Sequence, residues 1–255
     1  MIITDTHTHL YSEAFDDDRD AMMDRAFSAG VKRFFIPAID SSYSKAMFDL
    51  EERYPDNVHL MMGLHPTHVN EDYKEELKHV ETWLKKRSFV GIGEIGIDLY
   101  WDKSTLSAQQ AAFRYQIGLA KEYKLPIVIH CREAFQEIFD LLEDEKSDDL
   151  FGIFHCFTGT IEDAHRAISY NMKLGIGGVV TFKNGKIDKF LDQIDLEHIV
   201  LETDAPYLAP APYRGKRNES GYIKYVIQKV AEIYKLPVEK IAEVTTKNSK
   251  DVFKI

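Results

Sequence analysis

Cysteine is nearly absent: Cys131 and Cys156 are the only two in 255 residues. Two thiols cannot build a disulfide framework, and no cysteine spacing of the zinc-finger kind occurs. Long apolar runs are missing as well. None approaches the ~18 residues that would cross a bilayer, so no membrane partner is expected. No basic segment leading into an apolar one precedes Ile2-Ile3-Thr4-Asp5, the pattern expected of a cytoplasmic chain. Positive charge is in deficit, with 32 Lys and Arg against 42 Asp and Glu, a net charge of −10. That balance speaks against a broad basic face clamping nucleic acid. It leaves room for an enzyme whose metal ions and few arginines supply positive charge locally. Low-complexity segments, linkers and internal repeats are also missing, which predicts one domain over residues 1–255.

What the chain does have is a rhythm. Apolar runs at Ile2–Thr4, Arg33–Ile36, His59–Gly63, Val90–Gly93, Pro126–Ile129, Gly152–Phe154, Met172–Ile176 and His198–Leu201 start roughly 20 to 36 residues apart, the spacing of a (β/α)₈ barrel. Most are rich in Ile, Val and Phe without alternation, as parallel strands covered on both faces should be. The segments between them read as helices. Ser107 and Gln110 form a capping-box pattern that predicts a helix from there through Lys124. Ile223, Val226, Ile227, Val230 and Ala231 recur at helical spacing, and Met22, Met23, Ala26 and Phe27 form a similar stripe ended by Gly30. The expected fold is therefore α/β, a TIM-type barrel with its active site at the C-terminal ends of the strands.

Histidines and acids fall at those ends. His7 and His9 follow the first run, Asp40 the second, His65 the third and Glu94 the fourth. His130 and His155 end the fifth and sixth, and Asp204 ends the eighth. Burying four imidazoles and two carboxylates together would cost several kcal/mol unless something pairs them. In an extended segment residues two apart point the same way, so His7 and His9 can reach one cation. Imidazole and carboxylate donors suit Zn²⁺, Mn²⁺ or Fe²⁺, and the carboxylates also suit Mg²⁺. Six donors are too many for one tetrahedral ion with an open position, but they fit two ions bridged by Glu94. His59, His68, His79, His165 and His198 receive no role. Cys131 and Cys156 each follow a ligand histidine by one residue, so both are expected to face away from the site and serve packing.

The chain resembles the TatD family of metal-dependent deoxyribonucleases, a branch of the amidohydrolase superfamily, over essentially its whole length. The resemblance rests on Asp5-Thr6-His7-Thr8-His9, Gly63-Leu64-His65-Pro66, Gly93-Glu94-Ile95-Gly96-Ile97-Asp98, the segment from Pro126 through His130 and Arg132 to Ala134, His155-Cys156-Phe157-Thr158-Gly159, Leu201-Glu202-Thr203-Asp204-Ala205-Pro206, and Arg214-Gly215-Lys216-Arg217-Asn218-Glu219. Two positions depart from the family pattern. Tyr11 stands where Asp or Asn is usual, and Ser220 stands where Pro is usual; both are expected to shape substrate loops.

The resemblance implies that His7, His9 and Asp204 hold one divalent cation (Zn²⁺, Mg²⁺ or Mn²⁺), that His130 and His155 hold a second, and that Glu94 bridges them. Related barrels often bridge with a carboxylated lysine, whose strand-four place Glu94 takes here. Asp204 would orient or deprotonate the attacking water, and His65 would contact the scissile phosphate or the leaving group. Arg132, two residues past His130, is a candidate phosphate contact, with a surface ion pair as the alternative. Arg214, Lys216 and Arg217 form the one dense basic cluster, either bordering the substrate or simply solvated. Glu202 and Asp98 are candidates for supporting the metal ligands from behind, with filling of the barrel as the alternative. The activity implied is exonucleolytic hydrolysis of DNA from the 3′ end, preferring single strands, by a monomer. The rival readings are an acyl or amide hydrolase, including one that removes a D-amino acid from transfer RNA, and a metal-stabilised scaffold without turnover.

Overall fold

The computed structural model describes residues 1–255, and its eight parallel strands follow one another around a single sheet in chain order. They are β1 Ile3–Asp5, β2 Val31–Ile36, β3 Val58–Met62, β4 Gly91–Asp98, β5 Ile127–Arg132, β6 Gly152–Phe154, β7 Met172–Ile176 and β8 Ile199–Leu201. The seam between β8 and β1 closes just past the strand, where the Thr6 N–H and hydroxyl both donate to the Leu201 carbonyl at 3.0 Å. The result is the nearly closed (β/α)₈ barrel that the apolar rhythm predicts. Every residue of β1, β4, β6 and β8 is buried, as parallel strands between a packed interior and a helical jacket must be.

The interior is layered. Phe35, Met61, Val128, Ile153 and Val200 form one apolar cluster, completed by Val252 and Phe253. Those last two lie at the end of the C-terminal helix, which crosses the N-terminal mouth and plugs it; the Phe253 and Phe35 rings stack at 3.8 Å. Two residues further along, within β5 and just past β6 and β8, side chains of the same inward parity are His130, His155 and Glu202. One pleat repeat thus separates the layer that fills the barrel from the layer that carries chemistry.

The jacket is α1 Arg19–Ser28, α2 Ser44–Arg53, α3 Tyr73–Lys86, α4 Leu106–Tyr123, α5 Phe135–Asp144, α6 Ile161–Ser169, α7 Ile223–Tyr234 and α8 Val238–Phe253. The Ile223–Ala231 stripe is buried on α7, and Met22, Met23 and Ala26 are buried on α1, which ends before Gly30 at φ 94°. The alternation fails once. Between β7 and β8 the chain makes only short 3-10 turns, and two helices follow β8 instead. Gly177, Gly178 and Gly185 in that stretch deny a helix a stable run.

Two local expectations are corrected. No capping box opens α4: its N-cap is Thr105, whose side chain caps nothing, and Ser107 already lies in the first turn. The start of α4 is pinned instead by Gln109, whose amide accepts from the Asp98 N–H at 2.8 Å and donates to the Asp98 carbonyl at 3.1 Å. A full capping box exists elsewhere, at Thr160 and Asp163 of α6. Strand four also runs past Gly93 to Asp98, so Glu94 sits inside it rather than after it. Its glycines mark close approach: a Cβ on Gly96 (φ 144°) would stand 2.0 Å from the His130 carbonyl oxygen. The β4–β5 register slips between Ile92 and Ile95, around Glu94.

Candidate metal centre

The C-terminal mouth opens into a cleft of about 540 Å³ bordered by His9, His65, Glu94, His130, His155 and Asp204, among others. At its floor the Glu94 carboxylate divides its two oxygens between two sets of donors. Oε2 lies 3.1 Å from His7 Nε2 and 3.5 Å from His9 Nε2. Oε1 lies 2.8 Å from both His130 Nδ1 and His155 Nε2. Asp204 Oδ1 completes the first set at 3.7 Å from His7 and 3.6 Å from His9. Donors sharing one tetrahedral cation at about 2.1 Å lie roughly 3.4 Å apart, which is the scale of these spacings.

The fit to metal is best judged from the far side of each ring. Tyr11 Oη donates to the Pro37 carbonyl at 3.0 Å, so toward His9 Nδ1, 2.9 Å away, it must accept. That fixes the proton on Nδ1 and turns the Nε2 lone pair into the cluster. His130 Nε2 faces Asp98 Oδ2 at 2.9 Å, which turns the Nδ1 lone pair inward. Outer acceptors of this kind set the tautomer of metal-binding imidazoles. His155 Nδ1 lies 3.5 Å from Glu202 Oε1, close enough for charge attraction, but it has no hydrogen-bond partner. His7 packs its ring on His155 at 3.8 Å, and its Nδ1 has no partner. His65 is wired the other way. Its Nδ1 accepts the Thr67 N–H at 3.1 Å, so a neutral ring carries its proton on Nε2 and presents a donor to Glu94 Oε1 at 3.2 Å. The donor set therefore suits cations at His7, His9, His130, His155, Glu94 and Asp204, with His65 as an N–H donor beside them.

Charge supports the same division. Burial works to raise the Glu94 pKa, but His155, His65 and His7 outweigh it and hold the carboxylate well below its usual range. Asp204 is likewise held ionised against burial, chiefly by His9. Burial depresses His9, yet Asp204 and Glu94 lift it to about 9, and His130 and His155 are raised in the same manner. His65 is pushed down to about 4 by burial and stays neutral. The ionised carboxylates thus demand positive charge, which protons supply when no cation does. Imidazoles bind a cation only once those protons have left.

Behind the cluster, Asp5 ties β1 to the segment after β8. It accepts the Thr203 N–H at 2.9 Å, the Thr203 hydroxyl at 2.6 Å and the Ser220 hydroxyl at 2.6 Å, and burial raises its pKa to about 7. Asp204 follows at φ 57°, its N–H donating to the His7 carbonyl at 2.9 Å. Asp is among the residues that tolerate this left-handed conformation. Glu202 lies fully buried against Gly175, where a Cβ would come within 2.2 Å of its Oε2, and it accepts the Cys156 N–H at 2.5 Å.

Several expectations change. Tyr11 and Ser220 both serve the cluster: the first braces His9, and the second, buried, braces Asp5. The two-residue spacing that pairs His7 with His9 also puts Tyr11 on their side, a signal sequence reasoning passed over. Cys131 packs against the apolar core as expected, and both Cys131 and Cys156 also border the cleft. So does His68, which had no assigned role and lies 3.7 Å from Asp40. Arg132 borders the cleft, with its guanidinium 3.8 Å from the centre of the Tyr100 ring and no carboxylate partner. None of Arg214, Lys216 and Arg217 borders the cleft. Arg217 pairs with Asp18 at 2.6 Å, while Arg214 bonds Asn184 and lies over Phe182. No helix is long and apolar enough to cross a membrane.

Comparison with known proteins identifies the family. The model of the family described as TatD related DNase matches residues 4–254. An uncharacterized metal-dependent hydrolase of Bacillus subtilis, YabD, is 38% identical over 255 residues and all of both chains. A protein of Yersinia pseudotuberculosis named 3'-5' ssDNA/RNA exonuclease TatD is 31% identical, over 98% of this chain and 99% of that one. Among solved structures, the TatD homologue YjjV of Escherichia coli superimposes with a TM-score of 0.93 at 28% identity, covering 99% and 98% of the two chains. With the family model spanning nearly every residue and the fold and donor cluster in accord, the chain belongs to the TatD-related DNase family and is a metal-dependent hydrolase.

Proposed function

We propose that this protein hydrolyses DNA phosphodiester bonds, removing nucleotides from the 3′ end of single strands, as a single-domain cytoplasmic monomer. The observation that carries the reading is the split Glu94 carboxylate, one oxygen facing His7 and His9 and the other His130 and His155. His7, His9 and Asp204 would hold one divalent cation and His130 and His155 another, with Glu94 between them. Such a pair (Zn²⁺, Mg²⁺ or Mn²⁺) would acidify a water and offset the charge of a reacting phosphate. The rest falls to the chain. Asp204, ionised and within the cluster, takes the proton of the attacking water. His65, neutral with its N–H inward, donates to a phosphate oxygen or to the leaving oxygen. Arg132, unpaired by any acid and braced on Tyr100, offers a fork to the adjacent phosphate. Asp98 holds His130 in the orientation that binding requires, and Glu202 attracts His155 by charge. The relative named as a 3'-5' exonuclease supports both the substrate and the polarity.

The test is a panel of 5′-labelled single-stranded DNA, RNA and aminoacyl-tRNA, each incubated with Mg²⁺, Mn²⁺ and Zn²⁺. A ladder shortening one nucleotide at a time from the 3′ end is expected. Amino-acid release from intact tRNA would replace this reading with acyl hydrolysis, and turnover of none of the three would point the hydrolase to another ester or amide substrate.

A further inference from the structure

Large apolar side chains that stay in water need a reason when they gather. Nine are exposed across the chain, including Met1, Ile2 and Ile255 at the two ends; four of the nine gather at this cleft. Tyr100 is 51% exposed and Trp101 71%, on the loop after β4; Tyr207 is 55% and Leu208 41%, on the loop after β8. In a barrel ordered β1 to β8, β4 and β8 stand on opposite sides, so the two pairs rise from opposite walls. Trp101, Tyr207 and Leu208 border the cleft itself. Both walls touch the candidate machinery: the Tyr207 ring lies 6.0 Å from that of His9, and the Arg132 guanidinium lies 5.5 Å from the Trp101 ring.

Resting on the phosphodiesterase reading, we propose that Trp101 and Tyr207 are base platforms, stacking the unpaired nucleobases on either side of the phosphate that enters the cluster. The chemistry selects this occupant. Aromatic rings stack on any base without reading its edge. The carboxylate-free Arg132 sits beside one platform, where a phosphate flanking a stacked base would lie. A base inside a duplex has both faces covered and cannot use such platforms, so they select unpaired ends.

The test compares kcat/KM on a labelled oligothymidylate with that on the same strand carrying abasic sugars at its last two 3′ positions. The wild type should prefer the strand with bases by at least about tenfold, within the range that stacking on one aromatic supplies. Trp101→Ala and Tyr207→Ala should each erode that preference to about threefold or less, mainly through KM, and Trp101→Phe should keep most of it. Tyr115→Ala, an exposed aromatic outside the cleft, serves as the control that leaves the preference intact. A wild type without preference, or a Trp101→Ala enzyme that retains it, overturns the proposal. A binding arm separates this failure from failure of the nuclease reading. Trp83→Phe leaves Trp101 as the sole tryptophan, and in EDTA its emission should be quenched by oligothymidylate and not by the abasic-ended strand. Quenching without cleavage would retain the platforms and discard the nuclease. Cleavage without quenching would do the reverse.

Discussion

The two mouths of the barrel follow opposite rules. At the N-terminal mouth Phe35, Met61, Val128, Ile153 and Val200 meet Val252 and Phe253 in an apolar plug. At the C-terminal mouth, two residues along from Val128, Ile153 and Val200, the chain sets His130, His155 and Glu202 instead. Apolar burial lowers the free energy of folding whatever the solution holds. A buried cluster of imidazoles and carboxylates is tolerable only when protons or cations balance it. The fold should therefore lean on one end and the chemistry on the other, only a pleat apart.

Mutations can break that division. The largest effect is expected from Asp204→Asn, which keeps size and one oxygen but removes the base. Turnover should fall at least ~10²-fold while the thermal midpoint is kept or raised, measured by steady-state kinetics and calorimetry on one preparation. A folded variant with wild-type turnover would exclude Asp204 as the base. Phe253→Ala should invert the pattern, costing about 3–5 kcal/mol in urea unfolding as core truncations do, with kcat of the folded protein nearly unchanged. A loss below about 1 kcal/mol would show that the plug is not what holds the barrel.

Smaller effects sharpen the boundary. Asp98→Asn leaves every candidate ligand in place but weakens the acceptor behind His130, so cation affinity should drop about 10–100-fold in calorimetric titration; unaltered affinity would make Asp98 a loop anchor only. The smallest effect is one of pH. His9 rises from its ordinary value of 6.5 to about 9 in the folded protein, and His130 and His155 are raised too. A group whose pKa is raised on folding stabilises fully below its unfolded value and loses that contribution as pH climbs through the folded one. The metal-free thermal midpoint should therefore fall by roughly 4–8 °C between pH 7 and 9, whereas the metal-loaded protein, with cations in place of the protons, should stay level. Equal slopes with and without metal would contradict this charge account.

Both mouths were unevenly legible in the sequence. Strand positions and the six candidate ligands were readable because buried parallel strands are apolar runs and each ligand stands at or near the end of one. Strand four was cut short at Gly93 because its glycines look like a turn, when their role is to let β5 approach. The missing helix between β7 and β8 was hidden by apolar residues that bury equally well in 3-10 turns. Arg217 was misplaced because its partner, Asp18, lies almost 200 residues away. Tyr11 and Ser220 stand out in the sequence only as departures from the family pattern, and Asp5 only as part of a motif, because hydrogen bonds made behind the cluster leave no periodic trace. The exposed aromatics at the cleft were invisible for a similar reason: sequence does not tell a core Trp from one in water.

The central claim is that one carboxylate joins two cation sites, and metal counting tests it most directly. Wild-type protein dialysed against Mn²⁺ or Zn²⁺ should carry about two ions per chain by elemental analysis. Glu94→Ala should weaken both sites together, leaving well under one ion at the same free concentration. A single ion per wild-type chain at saturation, or a Glu94→Ala protein that still holds two, would contradict the bridge.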